Sequence, residues 1–239
     1  MNHTAIAANL SQFEQDQQYL KRWNPNITFL LGETNSDWIN LNMAQYEGVF
    51  GSALWLADYL LYGMSINITR MNIIQGTTFG YAGWVPVEYQ GQSPKVRAPL
   101  YGQIFAADVI GRKSRVRVKE LPQSTWNLAA YAVYESGNLA RYVVINMDEW
   151  NSTTPYERPS RKFTLDLPSG TKAAELSVLS GSGASADSGI TWGGLSWNYT
   201  DGRLAQSGSK KVTRLTPKNG KVSFMVESTQ AVTVGLLRE

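Results

Sequence analysis

The sequence predicts a multidomain α+β protein: the last two strands and helices of a (β/α)8 TIM barrel, followed by an antiparallel β-sandwich. Three patterns predict it. Up to Ile110, helical spacings alternate with short unbroken apolar runs, the order of an α/β fold. From Arg115 onward the chain alternates apolar and polar residues between turn signals, as antiparallel sheets with one wet face do. The first part offers only two strand candidates, both apolar enough to be buried on two faces, so they require neighbours that these residues do not supply. A small irregular cap on the sandwich is the alternative reading of that first part.

Taken in order, Leu10, Phe13, Gln17, Leu20 and Trp23 recur at helical spacing, and Pro25 ends that helix. Ile27-Thr28-Phe29-Leu30-Leu31-Gly32 is a nearly unbroken apolar run, as a parallel strand buried on both faces requires. Residues 43–64 place Phe50, Leu54, Trp55, Ala57, Leu60 and Leu61 on a helical pattern. Gly48, Gly51, Ser52 and Ala53 are small enough there for close packing. A second buried strand is expected over 68–74, then a loop rich in glycine and aromatics over 75–99. The next helix, over 100–110, turns Ile104, Phe105 and Val109 inward.

The boundary falls near 111–114, dividing the chain into 1–112 and 113–239. Strands are expected at 115–119, 130–134, 141–145, 163–167, 176–179, 222–226 and 232–236. Ser136-Gly137-Asn138, Asp201-Gly202 and Asn219-Gly220 supply turns between them. The Gly/Ser/Ala stretch over 181–189 reads as a surface loop. Arg115, Arg117 and Lys119 alternate with Val116 and Val118, the pattern of a solvated sheet face more than of a polyanion patch.

Composition narrows the chemistry. With 43% hydrophobic and 17% charged residues this is an ordinary folded chain, and a net charge of +3 requires no nucleic-acid partner. No stretch is apolar enough to span a bilayer, so no membrane partner is expected. There is no cysteine, and the one histidine, His3, lies in a polar N-terminal tail. That removes Ser-His-Asp hydrolysis and histidine-based zinc sites, leaving carboxylates, Tyr, Lys and backbone groups to do any chemistry. Eight Trp and twelve Tyr suit a protein that handles carbohydrate. Asn-x-Ser/Thr sequons at Asn2, Asn9, Asn26, Asn67, Asn151 and Asn198 point to an extracellular protein whose signal peptide lies upstream of Met1.

Gly32-Glu33-Thr34-Asn35-Ser36 follows the first apolar strand directly. Barrel active sites lie at the C-terminal ends of strands, and a carboxylate there can attack an anomeric carbon. The run Phe29 to Ser36, then Tyr46-Glu47-Gly48-Val49-Phe50-Gly51-Ser52-Ala53-Leu54-Trp55, then Asp58-Tyr59-Leu60, resembles glycoside hydrolase family 79, the β-glucuronidases and heparanase-like enzymes. The resemblance covers essentially the whole chain and is strongest over 29–111. It implies a barrel followed by a β-domain, Glu33 as nucleophile, and Tyr81 beside the sugar carboxylate, with Asn35 and Gln75 as further substrate-binding candidates. It also implies a carbohydrate substrate and no cofactor or metal.

Two departures matter. The acid/base of that family is a Glu following an Asn, and this chain has no Asn-Glu pair; Glu14 and Glu47 fall on expected helices and Glu149 in the sandwich. The chain alone is therefore expected to be inactive. Ile74 stands where glucuronidases often carry a His before Gln-Gly, so the resemblance does not by itself imply glucuronate as the preferred sugar. A non-catalytic sugar-binding protein, with Trp84, Trp192 and Trp197 as stacking platforms, is the second reading; a truncated product unable to fold is the third.

Overall fold

The computed structural model describes residues 1–37, 46–89 and 93–238. Helix α1 (His3–Trp23) begins at Asn2, whose extended backbone and side-chain carbonyl, accepting from the Ala5 N–H at 3.0 Å, make it the N-cap. Lys21 and Arg22 place positive charge at its C-terminal end. Strand β1 (Leu30–Thr34) pairs in parallel with β2 (Arg70–Ile73), Leu30 opposite Arg70 and Leu31 opposite Met71. Helix α2 (Phe50–Ser65) is the crossover a parallel pair needs. The expected start of this helix at residue 43 lies outside the described residues.

Burial on both faces of β1 is not what is observed. Leu31 is buried against the helices, whereas Leu30 is 49% exposed, because within this chain the pair has helices on one side only. The stretch expected as a loop holds a short antiparallel pair, β3 (Trp84–Val85) with β4 (Lys95–Val96). Helix α3 (Pro99–Ile110) opens with proline, whose missing N–H is no loss in a first turn. It lies so close to α2 that a Cβ at Gly102 would overlap the Ala53 carbonyl.

The remainder is mostly β-sheet. Strands β5 (Val116–Glu120), β6 (Leu128–Glu135) and β7 (Asn138–Asn146) form a meander. After β8 (Ser160–Asp166) come β9 (Ala173–Ser180), β10 (Thr191–Trp192), β11 (Leu195–Thr200), β12 (Arg203–Gly208), β13 (Thr213–Leu215), β14 (Lys221–Glu227) and β15 (Gln230–Leu237). The main sheet runs β12-β11-β10-β9-β15-β7-β6-β5, with β13 also on β9, and β14 pairs with β8 in a separate two-stranded sheet. Strand β15, last in sequence, is thus central.

The two-residue period decides which face packs where. Val143, Ile145, Tyr131, Val133, Leu179 and Ala231 join the core of Phe50, Leu54, Leu61 and Phe105 from α2 and α3. Their neighbours Val144, Val232 and Val234 point the other way, onto Val222, Phe224 and Val226 of β14. The layers are helices, large sheet, small sheet. Ser136 and Gly137 both have positive φ (49° and 85°), as do Asp201 and Gly202 (50° and 75°), the conformation of tight hairpin turns.

Two sequence expectations fail here. The 181–189 stretch is not a free surface loop: the Ala186 and Ala184 carbonyls accept from the Phe50 and Gly51 N–H groups at 2.7 and 2.8 Å. These amides open α2 and have no partner within the helix, so the sheet supplies the cap. Arg158 secures that loop by donating to the carbonyls of Gly181, Ser228 and Thr229 at 3.1, 2.7 and 2.5 Å, with its guanidinium 5.2 Å above the Trp150 ring. His3 is not in a solvated tail. It is 6% exposed, with Nδ1 2.9 Å from Asp58 Oδ2 of α2 and Nε2 3.0 Å from Glu120 Oε1 of β5, while Tyr131 donates to Asp58 at 2.5 Å. Burial opposes its charge, but the two carboxyls outweigh burial and push its pKa up to about 9.

Candidate active site

Glu33 sits near the C-terminal end of β1 and is exposed. Its neighbour Thr34 shares a 2.5 Å hydrogen bond with the Tyr59 hydroxyl, and Tyr59 stacks on Trp55 at 4.8 Å and 19°. Helix α2 therefore fixes the strand end that carries the carboxylate. Asn35 donates its Nδ2 to the Ile74 carbonyl at 3.0 Å and accepts from the Ser36 N–H at 2.7 Å. Gln75 donates to the same Ile74 carbonyl at 2.9 Å, and its Oε1 accepts from the Gly83 N–H at 2.7 Å. Both amides are engaged with backbone: they tie the ends of β1 and β2 together and hold the turn that follows.

That turn carries Tyr81, 3% exposed and stacked on Phe79 at 5.1 Å and 14°. Arg97 donates to the Phe79 and Gly80 carbonyls at 2.6 and 3.2 Å, so a buried guanidinium shapes the loop behind the ring. Burial raises the Tyr81 phenol pKa, and Glu47, Asp37 and Glu33 add to the shift in that order.

Glu47 was not recognised as part of the site. It lies in a π-helical turn just before α2, and it is 5% exposed. Among the described residues no N–H donor reaches its oxygens, and its one carboxyl neighbour is Asp37. Burial first, then the adjacent Asp37 carboxyl, push its pKa up to about 7 against the opposing pull of Arg97. No periodicity marks it in the sequence; a lone Glu before a glycine carries no burial signal.

Of the expected stacking platforms, Trp192 is unavailable. It is 6% exposed, packs edge-on against Phe105, and donates Nε1–H to Asp108 at 2.6 Å. Among the described residues no three His, Asp or Glu side chains converge as metal ligands, and no helix is long and apolar enough to cross a membrane.

The arrangement is a parallel strand pair with a strand-end carboxylate leading into a mostly β domain. A 4-O-α-L-rhamnosyl-β-D-glucuronidase from Fusarium oxysporum 12S superposes with a TM-score of 0.79 at 23% identity, over 98% of this chain and 48% of that one. Residues 130–233 match the glycosyl hydrolase family 79 C-terminal beta domain. A beta-glucuronidase from Aspergillus niger is 36% identical over 229 residues, covering 90% of this chain and 42% of that protein. One from Neurospora crassa is 32% identical over 233 residues, covering 83% and 41%. The chain belongs to glycoside hydrolase family 79 and corresponds to the C-terminal portion of its members. It spans about two fifths of the length of the curated relatives it matches.

Proposed function

We propose that this chain is the C-terminal part of a retaining glycoside hydrolase acting on β-glucuronides or related sugars. Residues 1–112 would supply the last two strands of a (β/α)8 barrel and 113–239 the β-sandwich. The observation that carries this reading is Glu33 near the C-terminal end of β1, in a chain homologous over most of its length to β-glucuronidases. In the reaction a Glu33 oxygen bonds to the anomeric carbon as the glycosidic C–O bond breaks. The leaving oxygen takes a proton from a carboxylic acid about 5–5.5 Å away. Water, deprotonated by the same group, then cleaves the glycosyl ester and releases the sugar with retained configuration.

No Asn-Glu pair occurs in this sequence, so these residues alone would lack that acid and leave alkyl glucuronides intact. Incubation with 2-deoxy-2-fluoro-β-D-glucuronyl fluoride tests the nucleophile by itself, since fluoride departs without acid assistance. One ester on the Glu33 peptide, absent from Glu33→Gln, is expected; labelling elsewhere, or none, rejects the assignment. Turnover of methyl β-D-glucuronide that disappears in Glu33→Gln rejects the inactivity.

The same reading places the protein outside the cell. Asn9, Asn26, Asn67 and Asn198 are exposed, whereas the side-chain carbonyls of Asn2 and Asn151 are committed to the Ala5 and Ser185 N–H groups. Secretion from a fungal host should attach glycans to the first four, measured as mass lost on enzymatic deglycosylation.

A further inference from the structure

Toward the C-terminal end of α3, a cavity of about 530 Å³ opens on the helix-facing side of the large sheet, within the range of small-molecule pockets. Its floor follows from the strand period. Leu179 and Ala231 pack into the helical core, so Ser177 and Glu175 of β9 and Thr233 and Gly235 of β15 share that face. Glycine inside a central strand weakens it, and often marks a place where a ligand comes close. A Cβ at Gly235 would meet only the Glu175 carbonyl oxygen, at 3.9 Å, so the space above it is open. Trp192 and Trp197 form a wall that is fixed before any ligand arrives. Trp192 is held by Asp108 and Phe105. Trp197, half-buried, lies edge-on to Tyr101 at 5.6 Å and donates its backbone N–H to the Tyr101 hydroxyl at 3.0 Å. Among the described residues the side chains of Glu175, Ser177, Gln206 and Lys210, all lining the cavity, have no hydrogen-bond or ion-pair partner in the protein.

We propose that this cleft is a second carbohydrate site, separate from the catalytic one, that holds a neutral, hydroxyl-rich glycan against Trp197. An indole packs on the C–H side of a pyranose ring, while a carboxylate, an amide, a hydroxyl and an ammonium group supply the acceptors and donors that sugar hydroxyls need. Asp108 and Glu175 match Arg141 and Lys210 in number, so the wall offers a uronate or a sulfate no surplus of positive charge. The cleft is not an extension of the Glu33 site. Gly83, whose N–H donates to Gln75 at the end of β2, meets α3 at Leu100, where a Cβ on Gly83 would lie 3.3 Å from the Leu100 Cα. Asp108, in the cleft wall, lies eight residues and about 12 Å further along that helix. That the bound glycan belongs to the substrate rests on the glycoside-hydrolase reading of the chain; the binding itself does not.

The test titrates the intact, ¹⁵N-labelled chain with cellotetraose, mannotetraose and β-1,3-galactotetraose. Saturable shifts of the Trp197 indole N–H and of the Ser177 and Gln206 amides are expected with at least one of them, and at least about tenfold weaker binding of tetragalacturonate. Gly235→Val fills the floor with a residue that suits a strand, and should abolish the shifts. Gln206→Ala, exposed and outside the core, keeps the test open should that variant fail to fold, and should weaken binding about tenfold. Glu33→Gln should leave the shifts in place. Shifts that persist when the glucuronyl fluoride labels nothing remove the nucleophile and keep the cleft; labelling of Glu33 without the shifts removes the cleft alone. Unchanged affinity in Gln206→Ala or in folded Gly235→Val, tetragalacturonate bound as tightly as the neutral sugars, or no saturable shift with any tetrasaccharide would overturn the proposal.

Discussion

His3 and Asp58, 55 residues apart in sequence, meet in the protein interior with Nδ1 of one 2.9 Å from Oδ2 of the other. Glu120 takes the second imidazole nitrogen, so one ring joins α1, α2 and the first strand of the large sheet. The folded-state pKa of about 9 lies above the ordinary 6.5. The stabilisation is therefore complete below about pH 6.5 and is lost as pH rises through about 9. As the sole histidine, it gives one imidazole signal to follow by NMR. We expect it to titrate near 9; a midpoint near 6.5 would show the cluster open in solution. His3→Ala, which leaves a buried carboxylate unpaired, should cost roughly 3–5 kcal/mol in chemical denaturation.

Glu47 shifts stability in the same direction, at lower pH. Its pKa of about 7 in the folded chain exceeds the ordinary 4.5, so folding favours the proton and stability falls as pH rises from 4.5 through 7. Glu47→Gln imitates the protonated form. Its thermal midpoint should match the parent near pH 4 and exceed it at pH 8; identical midpoints at both would place the carboxyl in water.

Arg158→Ala removes the donors that hold Gly181, Ser228 and Thr229. Hydrogen bonds from a charged group contribute about 1.5–3 kcal/mol each, so a loss of at least ~1.5 kcal/mol is expected. More telling is its reach: the Phe50 and Gly51 amides, capped by the loop that Arg158 secures, should exchange with deuterium faster while the middle of α2 stays protected.

Gly102→Ala places a methyl group against the Ala53 carbonyl, which neither helix can yield without moving apart. Overpacking of this kind costs about 1–3 kcal/mol, read as a lower denaturation midpoint with an unchanged slope. An unchanged midpoint would mean that α2 and α3 are not held this closely.

What sequence reasoning could reach follows from how local each signal is. The hairpin at Ser136-Gly137 and the apolar stripe of α2 are written in adjacent residues, and both were legible. Strand β12 was not, because all six of its residues are exposed and no alternation betrays it. His3 read as solvated because its partners Asp58 and Glu120 are remote in sequence. The 181–189 stretch looked like a loop for the same reason: its carbonyls, not its side chains, make the contact with α2. Glu33 stood out through its place after an apolar run, whereas Glu47 gained meaning only from the walls the fold puts around it.

Strand β15 lies between β9 and β7, yet it follows every other strand in the chain. On the ribosome, the meander β5-β6-β7 and the group built on β9 must therefore wait as separate halves, each with an open edge. Ala231 and Val232 join them only after all the rest has been made. Until then each half is a template for foreign strands. A premature stop before Gln230 would thus do more than shorten the protein: it would leave two unsealed half-sheets where β15 makes one.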